Sequence, residues 1–385
     1  MRFMPVALLG FALASLHPST FADELFGDFY YTATPTEITI TLYGGSAQSV
    51  IVPSQITNVP VRTIKATAFA GQSGFTNVII PDSVTTFQGP TFSSCSSLAS
   101  ISLGGGLSAL GDAPFAGCTN LATIAVHATN AAYSSIDGVL FNKSATTLLY
   151  YPLGKSGAYT IPDGTLTIAE HAFEVHPKLS SVTMPDSVVN IANSAFNSCT
   201  ALGSVQVGNG VTNIGDFAFI SCTNLSDLTL GSSVKTIGPM AFSGCTRLAR
   251  VTLPGSLSNI GSYAFAECSI LERIYFRGNA PIAEEGAFEL ISGAAKVYYL
   301  PGTSGWGPSF AGLSTALWNP TIELAPPILF ITGTPDIPIA VESCTNLVSG
   351  PWMLLNSTTL ANGDISITDN KGTNSMATFY RVTGP

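Results

Sequence analysis

Cysteine is the residue type in this chain best suited to redox or metal chemistry. Six of the seven cysteines are evenly spaced, 23 residues apart except for one larger gap: Cys95, Cys118, Cys199, Cys222, Cys245 and Cys268. No C-x-x-C pair occurs, and one cysteine per repeat in a straight file cannot surround a tetrahedral zinc ion. Stacked repeats would place equivalent residues about 4.8 Å apart, where parallel side chains sit slightly too far apart for a disulfide. The spacing therefore predicts a file of buried free thiols, and Cys344 has no assignable partner.

Groups that could act as catalytic acids, bases or phosphate ligands do not converge on one motif. Glu284 and Glu285 are predicted to face water, and the glycine run at 104–106 lacks the Lys and helix of a phosphate loop. None of the three histidines beyond the N-terminal segment belongs to a recognisable motif: His127, His171 and His176. We therefore predict no enzymatic activity, no cofactor and no metal site.

Arginine and tyrosine, which are enriched at binding interfaces, gather near the end of the repeated region. The predicted strands leave outward columns that consist mostly of Ser and Thr. The last repeats differ and provide the candidate binding residues Arg250, Arg273, Tyr275 and Arg277. All four are expected to point outward from neighbouring strands. The alternative is a solvated face on which Asp227 balances one arginine.

The elements that position these residues recur with a fixed period, which marks a solenoid. Alignment of the repeats gives the consensus L-x-x-I-x-L-P-x-S-V-x-x-I-G-x-x-A-F-x-x-C-x-x. Nine phenylalanines are 23 residues apart at every step except one: Phe69, Phe92, Phe115, Phe173, Phe196, Phe219, Phe242, Phe265 and Phe288.

Each part of the consensus indicates a structural element. Alternating apolar residues such as Val205 and Val207 predict a short strand with one face inward, and Val211 with Ile214 indicates a buried return segment. Gly followed by a capping residue and the Ala-Phe pair predicts a short helical turn. The fold class is thus an α/β-type but mostly β solenoid. We expect one parallel sheet from Val50 to Leu300 and one continuous buried row of phenylalanines.

These repeats resemble the BspA-like bacterial leucine-rich repeats, whose members carry the 23-residue form with its A-F-x-x-C signature. The resemblance covers roughly Val50 to Leu300. It implies a repeat scaffold whose surface binds host or partner-cell proteins. The slot that holds Asn or Cys in eukaryotic repeats holds Ser or Gly here, as at Ser187 and Gly210. The ligands of animal receptor repeats are therefore not implied.

Departures from the period predict the remaining domains. The 58-residue interval between Phe115 and Phe173 contains an insertion hairpin near 128–162. The predicted order is a signal peptide at 1–22, an N-terminal β cap at 23–49, the solenoid at 50–318 with a C-terminal cap at 297–318, a linker at 319–327, and a small all-β module of sandwich type at 328–385.

The N-terminal segment and the charge indicate location and partners. An apolar run from Val6 to Leu16 precedes the small residues of a cleavage site at Thr20-Phe21-Ala22, which predicts export to the cell surface or medium without membrane insertion after cleavage. The formal net charge is -9, with no basic stripe, which argues against nucleic acid as a partner.

The sequence therefore predicts an exported, monomeric, non-enzymatic scaffold for binding or adhesion, with a protein or cell-surface ligand as its partner. One alternative is a structural component of the cell envelope, in which the repeats act as a spacer. Another is an accessory carbohydrate-binding protein, which would need a row of exposed aromatic side chains. Among the outward columns, only Tyr275 is aromatic.

Overall fold

The computed structural model describes residues 23–318 and six strands beyond them, at 321–325, 328–332, 338–344, 353–359, 364–368 and 379–383. The predicted signal peptide at 1–22 lies outside the described residues. The described part contains β-strands and turns but no helix. Among these residues there is no candidate membrane-spanning helix.

The first block of the solenoid begins with a small antiparallel sheet. Its strands are β1 (Glu24–Phe26), β2 (Phe29–Ala33) and β3 (Ile38–Tyr43). The following strands belong to the repeats: β4 (Ser49–Ile51), β5 (Gln55–Ile56), β6 (Val59–Ile64), β7 (Asn77–Ile79), β8 (Thr86–Phe87), β9 (Ser100–Leu103) and β10 (Thr123–Val126). On the front of the block β4, β7, β9 and β10 form a parallel sheet, while β3, β6 and β8 pair in parallel on the return side.

The insertion forms part of the core rather than a surface appendage. Its strands are β11 (Tyr133–Ile136), β12 (Val139–Asn142), β13 (Thr147–Tyr150) and β14 (Gly157–Thr160). Asp137 and Gly138, both with positive φ, make the two-residue turn between β11 and β12, which suits a right-twisted hairpin. The side chains of β12 from Val139 to Phe141 are buried. The insertion thus fills the interior between the two blocks of repeats.

The second block contains the remaining repeats: β15 (Thr167–Ile168), β16 (Leu179–Thr183), β17 (Asn190–Ile191), β18 (Ser204–Gln206), β19 (Asn213–Ile214), β20 (Asp227–Thr229), β21 (Thr236–Ile237), β22 (Arg250–Leu253), β23 (Asn259–Ile260), β24 (Arg273–Phe276), β25 (Ile282–Ala283), β26 (Lys296–Tyr299), β27 (Ser309–Phe310) and β28 (Leu313–Leu317). The return strands from β13 to β25 form one continuous sheet. The prediction of a single front sheet is wrong. The insertion separates β10 from β14, and β20 does not pair with β22, so the front strands form three sheets.

The repeat phenylalanines are buried, as predicted, and their rings stack along the solenoid axis. Ring centroids are 4.4 Å apart between Phe173 and Phe196 and 5.4 Å apart between Phe265 and Phe288. The row is not continuous, however. At the insertion Tyr150 packs on Phe115, and Tyr151 begins a second stack on Phe173. The hydrophobic core divides into two clusters at the same place.

The structure does not confirm the predicted short helical turns around each Ala-Phe pair. Residues on both sides of the pair adopt left-handed backbone, for example Phe217 (φ 58) and Ser221 (φ 58), and such residues interrupt a right-handed helix. The amide of Phe219 donates to Ala241 O in the next repeat at 2.7 Å, and the amide of Cys222 donates to Phe219 O at 3.2 Å. Successive main-chain amides thus donate alternately to the next repeat and to a carbonyl within the same turn. Stacking, rather than helix formation, satisfies these groups.

The cysteine slot supplies a hydrogen-bond donor to the preceding repeat. All six repeat cysteines are buried and free, and each Sγ donates to a phenylalanine carbonyl 26 residues earlier, at 3.0 to 3.4 Å. Three repeats hold another residue in this slot, and in two of them the same kind of bond forms: Gln72 Nε2 donates to Tyr43 O, and His176 Nε2 lies 3.1 Å from Pro152 O. The third, Ile291, has no donor. After the insertion begins, Tyr150 OH donates to Phe115 O. The slot therefore favours a side-chain donor.

Beyond residue 318 the described strands are β29 (Thr321–Ala325), β30 (Ile328–Thr332), β31 (Pro338–Cys344), β32 (Met353–Thr359), β33 (Asp364–Thr368) and β34 (Phe379–Thr383). They form two antiparallel sheets of three strands, in the orders β29-β30-β33 and β32-β31-β34. The sandwich arrangement of this module stays a prediction. The side chain of Cys344 lies outside the described ones.

Candidate binding face

Three cationic side chains form a row across the front of the last repeats. Arg250, Arg273 and Lys296 are in register on β22, β24 and β26, whose strands lie about 4.8 Å apart. Arg250 and Lys296 are exposed, and Arg273 is half-buried. Sequence reasoning missed Lys296, although it follows Arg273 at the same 23-residue interval. Extending the 23-residue period by one more repeat would have identified Lys296.

Tyr275 is not the exposed anchor that alternation predicted. It does belong to the outward column, but it is only 3% exposed. Its ring stacks on that of Tyr298, with centroids 5.2 Å apart, and both pack with Trp318. Alternation fixes the direction of a side chain and not what covers it. Tyr275 is therefore a buried support beside the cationic row.

Arg250 and Arg277 both line a cleft of about 520 Å³ in the front face. The cleft lies where β20 and β22 separate. Its walls include residues 226–230 and 250–252, together with Asn209, Ser232 and Gly255. Arg273 does not line it. The structure thus brings two of the predicted site residues to the cleft, and places Arg273 in the neighbouring row.

Main-chain hydrogen bonds show that the front face opens here. The amides of Gly203, Ser226 and Glu272 each donate to the preceding repeat, to Ser180 O, Gly203 O and Ala249 O respectively. In the described part of the chain, Ala249 makes no equivalent bond to Ser226 O. Leu230 likewise lacks the bond that Val207 makes to Thr229 O. Because β21 and β23 remain paired on the return side, the opening is confined to the front.

Charge is distributed unevenly around the cleft. Asp227 lies on the β20 side and accepts a hydrogen bond from Ser204 Oγ at 3.3 Å. Arg250 lies on the β22 side, and no ion pair joins it to Asp227 among the described residues. A solvated face on which Asp227 balances this arginine without contact stays the alternative interpretation. The side chain of Arg250 is available at the rim.

Residues of the C-terminal module reach the same cleft. Ile339 and Ala340 of β31 and Ser357 of β32 contribute to its lining. Strand β31 is already paired on both sides, with β32 and β34. The module therefore forms one border of the cleft.

The histidines have structural or solvent-exposed positions. His176 is buried in the cysteine slot of its repeat, where Nδ1 accepts hydrogen bonds from the amides of Lys178 and Leu179. Burial lowers the pKa of His176 to about 4, so the ring is neutral at pH 7. His171 is exposed, with Nδ1 3.0 Å from a carboxylate oxygen of Glu174. Neither arrangement presents a base to a substrate cleft.

Glu284 is held by hydrogen bonds to a neighbouring repeat. Glu284 Oε2 accepts hydrogen bonds from the amide and hydroxyl of Ser262, and these bonds lower the pKa of Glu284. Within the residues that the structure describes, no group of three His, Cys, Asp or Glu side chains could hold a metal ion.

Comparison with known proteins identifies the repeats. The model of the BspA type leucine-rich repeat region matches six copies, over residues 29–155 and 166–293. A leucine-rich-repeat protein from Bacteroides ovatus shares the fold, with 23% identity over 72% of this chain and 71% of that one and a TM-score of 0.54. No curated protein matches.

Two further solved structures are similar at lower TM-scores. A leucine-rich cell surface protein from Faecalibacterium prausnitzii is 22% identical, covers 76% of this chain and 97% of its own, and has a TM-score of 0.35. The pneumococcal vaccine antigen PcpA is 17% identical, covers 73% and 94%, and has a TM-score of 0.41. The family assignment rests instead on the repeat model, which spans more than half of the sequence. The chain belongs to the BspA-type leucine-rich-repeat family.

Proposed function

We propose that this protein is a non-enzymatic scaffold that binds a partner protein through the front face of its last repeats. The observation that carries the proposal is the cationic row of Arg250, Arg273 and Lys296 beside an open cleft. Arg277 contributes from the cleft wall, and Tyr275 supports the surface from below. Membership of a family of repeat scaffolds supports a binding role rather than catalysis.

The chemistry of this face favours an acidic partner. A ligand that contacts only Ser and Thr hydroxyls gains little over water, because each such bond replaces one to solvent. Arginine instead forms charge-assisted, forked hydrogen bonds with carboxylates. Carbohydrate stacking is less favoured, since Tyr275 and Tyr298 do not present exposed ring faces.

The proposed location is the cell surface or the medium. The apolar run from Val6 to Leu16 with its small-residue cleavage site supports export. Proteins of the BspA type are typically exposed at the surface, which agrees with this assignment. A spacer role in the envelope remains an alternative outcome of the binding test.

The test compares two double variants that lose the same charge. Arg250→Ser with Arg273→Ser removes half of the front cations, whereas Lys235→Ser with Arg247→Ser removes cations elsewhere. Binding of cell-surface extract is measured at low and high salt, after circular dichroism has shown that both variants are folded. We expect about tenfold weaker binding and a smaller salt dependence for the front variant only. Equal binding by parent and front variant would place the interaction elsewhere or favour the spacer role.

A further inference from the structure

We propose that the turn edge of the second block is a further binding surface, which takes a basic, amphipathic segment of a partner protein. The turn edge is formed by the turns that run from the glycine slot to the cysteine slot of each repeat. In the second block these turns are residues 169–176, 192–199, 215–222, 238–245, 261–268 and 284–291. The inference goes beyond the proposed function, because it concerns another part of each repeat and a ligand of opposite charge.

The first argument is a row of large apolar side chains along this edge. Phe217, Met240 and Tyr263 occupy the same slot in three successive repeats. Their amides each donate to a carbonyl of the next turn, at 2.9 to 3.0 Å, which holds the members of the row one repeat apart. Phe217 is 39% exposed, the other two are half-buried, and none of the three belongs to either large core cluster. The row therefore presents apolar surface to solvent.

Packing in the core does not explain this choice of residues. The slot imposes left-handed backbone, with φ 58 at Phe217, 53 at Met240 and 59 at Tyr263. Glycine adopts such backbone at the least cost, and Gly286 holds the slot in the last repeat, whereas Ser194 fills it with a small polar side chain. Each large side chain is thus held in a costly conformation without joining the core. A ligand that covers the row would offset this cost by removing apolar surface from water.

The second argument is charge, which identifies the ligand as basic. The six turns contain seven Asp or Glu residues and no Lys or Arg. Four exposed carboxylates lie in the last two turns: Glu267, Glu284, Glu285 and Glu289. In the described part of the chain, no Lys or Arg forms an ion pair with any of them. A cationic ligand would complement this edge, whereas an acidic one would be repelled from it.

The third argument is a cleft of about 310 Å³ at the C-terminal end of the row. Its lining includes Glu284, Gly286, Glu289 and Ala311. A Cβ on Gly286 would collide with the ring of Tyr263 and would lie 3.0 Å from Glu289 Oε2. The aromatic ring and the carboxylate thus converge over the glycine. A Lys or Arg side chain of the ligand could pair with the carboxylate there and lie against the ring.

The apolar row and the acidic cleft together specify an amphipathic segment. One part of the segment places a cation in the cleft, and another covers Phe217 and Met240 with apolar side chains. The cationic row of a second copy would supply the charge. The outward columns beside that row are mostly Ser and Thr, however, so a second copy would leave the apolar row uncovered. The occupant is therefore a segment of another protein.

The probe is a displayed library of random linear twelve-residue peptides, selected on the mature chain at low salt. Peptides that also bind the variant Phe217→Ser with Met240→Ser are removed. Ser is chosen because Ser194 occupies the same slot, and circular dichroism confirms that the variant is folded. We expect the remaining peptides to combine Lys or Arg with apolar residues. Replacement of either kind of residue in a resynthesised peptide should weaken binding about tenfold or more.

Two double variants that lose the same charge test the acidic residues. Glu285→Gln with Glu289→Gln should weaken the selected peptides several-fold and reduce the salt dependence of binding. The matched control, Asp112→Asn with Asp163→Asn, removes exposed carboxylates elsewhere and should leave binding unchanged. Equal binding by the first variant and the control would contradict the role of the acidic cleft.

Methionine methyl NMR locates the peptide independently. The mature chain contains four methionines: Met184, Met240, Met353 and Met376. The signal of Met240 is assigned with Met240→Leu. Binding should shift this signal and leave that of Met184, which is only 3% exposed, unchanged.

The inference is overturned if no peptide survives the removal step, or if the surviving peptides leave the Met240 signal unchanged. It is also overturned if the parent self-associates with rising concentration, Arg250→Ser with Arg273→Ser abolishes this, and self-association excludes the peptide. The occupant would then be a second copy. The extract test of the proposed function changes only front cations, so either proposal can fail while the other stands.

Discussion

At the residue scale, the repeat signature has a chemical explanation. The cysteine of A-F-x-x-C donates to the carbonyl of the preceding aromatic residue, as Cys222 does to Phe196 O at 3.2 Å. Gln72 and His176 show that donors other than a thiol serve in this slot, and Ile291 in the last repeat shows that a donor is not obligatory. Without such a donor, the buried carbonyl would give up a hydrogen bond to water on folding and gain none in return, which would cost stability.

His176 makes the stability of this repeat sensitive to pH. Its pKa in the folded chain is lowered to about 4 by burial, against a usual value of 6.5. The unfolded chain therefore takes up a proton at a higher pH than the folded chain. Its contribution to stability is present above pH 6.5 and is lost as pH falls toward 4, a loss of about 3 kcal/mol.

The measurement is the free energy of unfolding by urea between pH 7 and pH 4, for the parent and for His176→Gln. Gln is chosen because Gln72 fills the same slot and does not titrate. We expect the variant to lose less stability on acidification than the parent. Parallel curves for the two proteins would show that His176 is not responsible, since carboxylates that protonate in this range affect both.

At this scale the sequence predicts which repeat position a residue occupies and whether its side chain points inward or outward, but not which groups it contacts. The burial of the phenylalanines follows from their spacing. The hydrogen bond of each cysteine could not be predicted, because its acceptor lies 26 residues away and depends on the stacking geometry. Tyr275 shows the other limit. Its outward direction followed from alternation, whereas its cover by Tyr298 and Trp318 depends on how the last strands pack.

At the element scale, the insertion is fixed by one buried amide. Asn130 is completely buried, and its Nδ2 donates to Gly104 O and Leu107 O, both at 2.9 Å. Its Oδ1 accepts the amides of Ala132 and Tyr133, which begin the hairpin. All of these partners are main-chain groups. The side chain therefore joins the first block to the start of the insertion and satisfies groups that water cannot reach.

Asn130→Ala should cost about 2 to 4 kcal/mol in the free energy of unfolding, because it leaves several buried main-chain groups without partners. The control is Asn120→Ala, which removes an exposed amide that donates to a main-chain carbonyl, Ser96 O, at 2.8 Å. We expect the control to cost less than 1 kcal/mol, about the usual net value of such a bond. Similar losses in the two variants, measured by urea unfolding, would contradict the role assigned to Asn130.

The strands were predictable and the turns were not. The alternation of apolar and polar residues in segments such as 205–207 is a local property of the sequence. It therefore predicts a strand without knowledge of the neighbouring repeats. The turn around Phe219 looks helical in sequence because Ala and Phe follow a Gly and a capping residue. Its real conformation depends on the amide of Phe219 finding Ala241 O in the next repeat. The front opening could not be predicted from the sequence either, because β20 and β22 have ordinary repeat sequences.

At the scale of the whole molecule, the insertion divides the solenoid into two cores. One cluster ends with Leu140, and the other begins with Val139 and Phe141. The front strands are interrupted at the same place, between β10 and β14. Repeats in a solenoid contact mainly their neighbours, so stability is close to a sum of repeat and interface contributions. The interface at the insertion should therefore limit how far local unfolding of one block extends into the other.

Phe92→Ala and Phe219→Ala test this division with chemically identical changes. Both phenylalanines are completely buried in stacked columns, one in each block, so each change should cost about 3 to 5 kcal/mol through lost packing and a cavity. Hydrogen exchange in moderate urea would report the two blocks separately. We expect Phe92→Ala to accelerate exchange in residues 23–126 while 179–299 stays protected, and Phe219→Ala to do the reverse. Because the hairpin of β11 and β12 lends side chains to both clusters, its amides should respond to either variant. If each variant instead lowered protection equally in both blocks, the two clusters would unfold as one unit, and β12 would be acting as a continuous bridge between them.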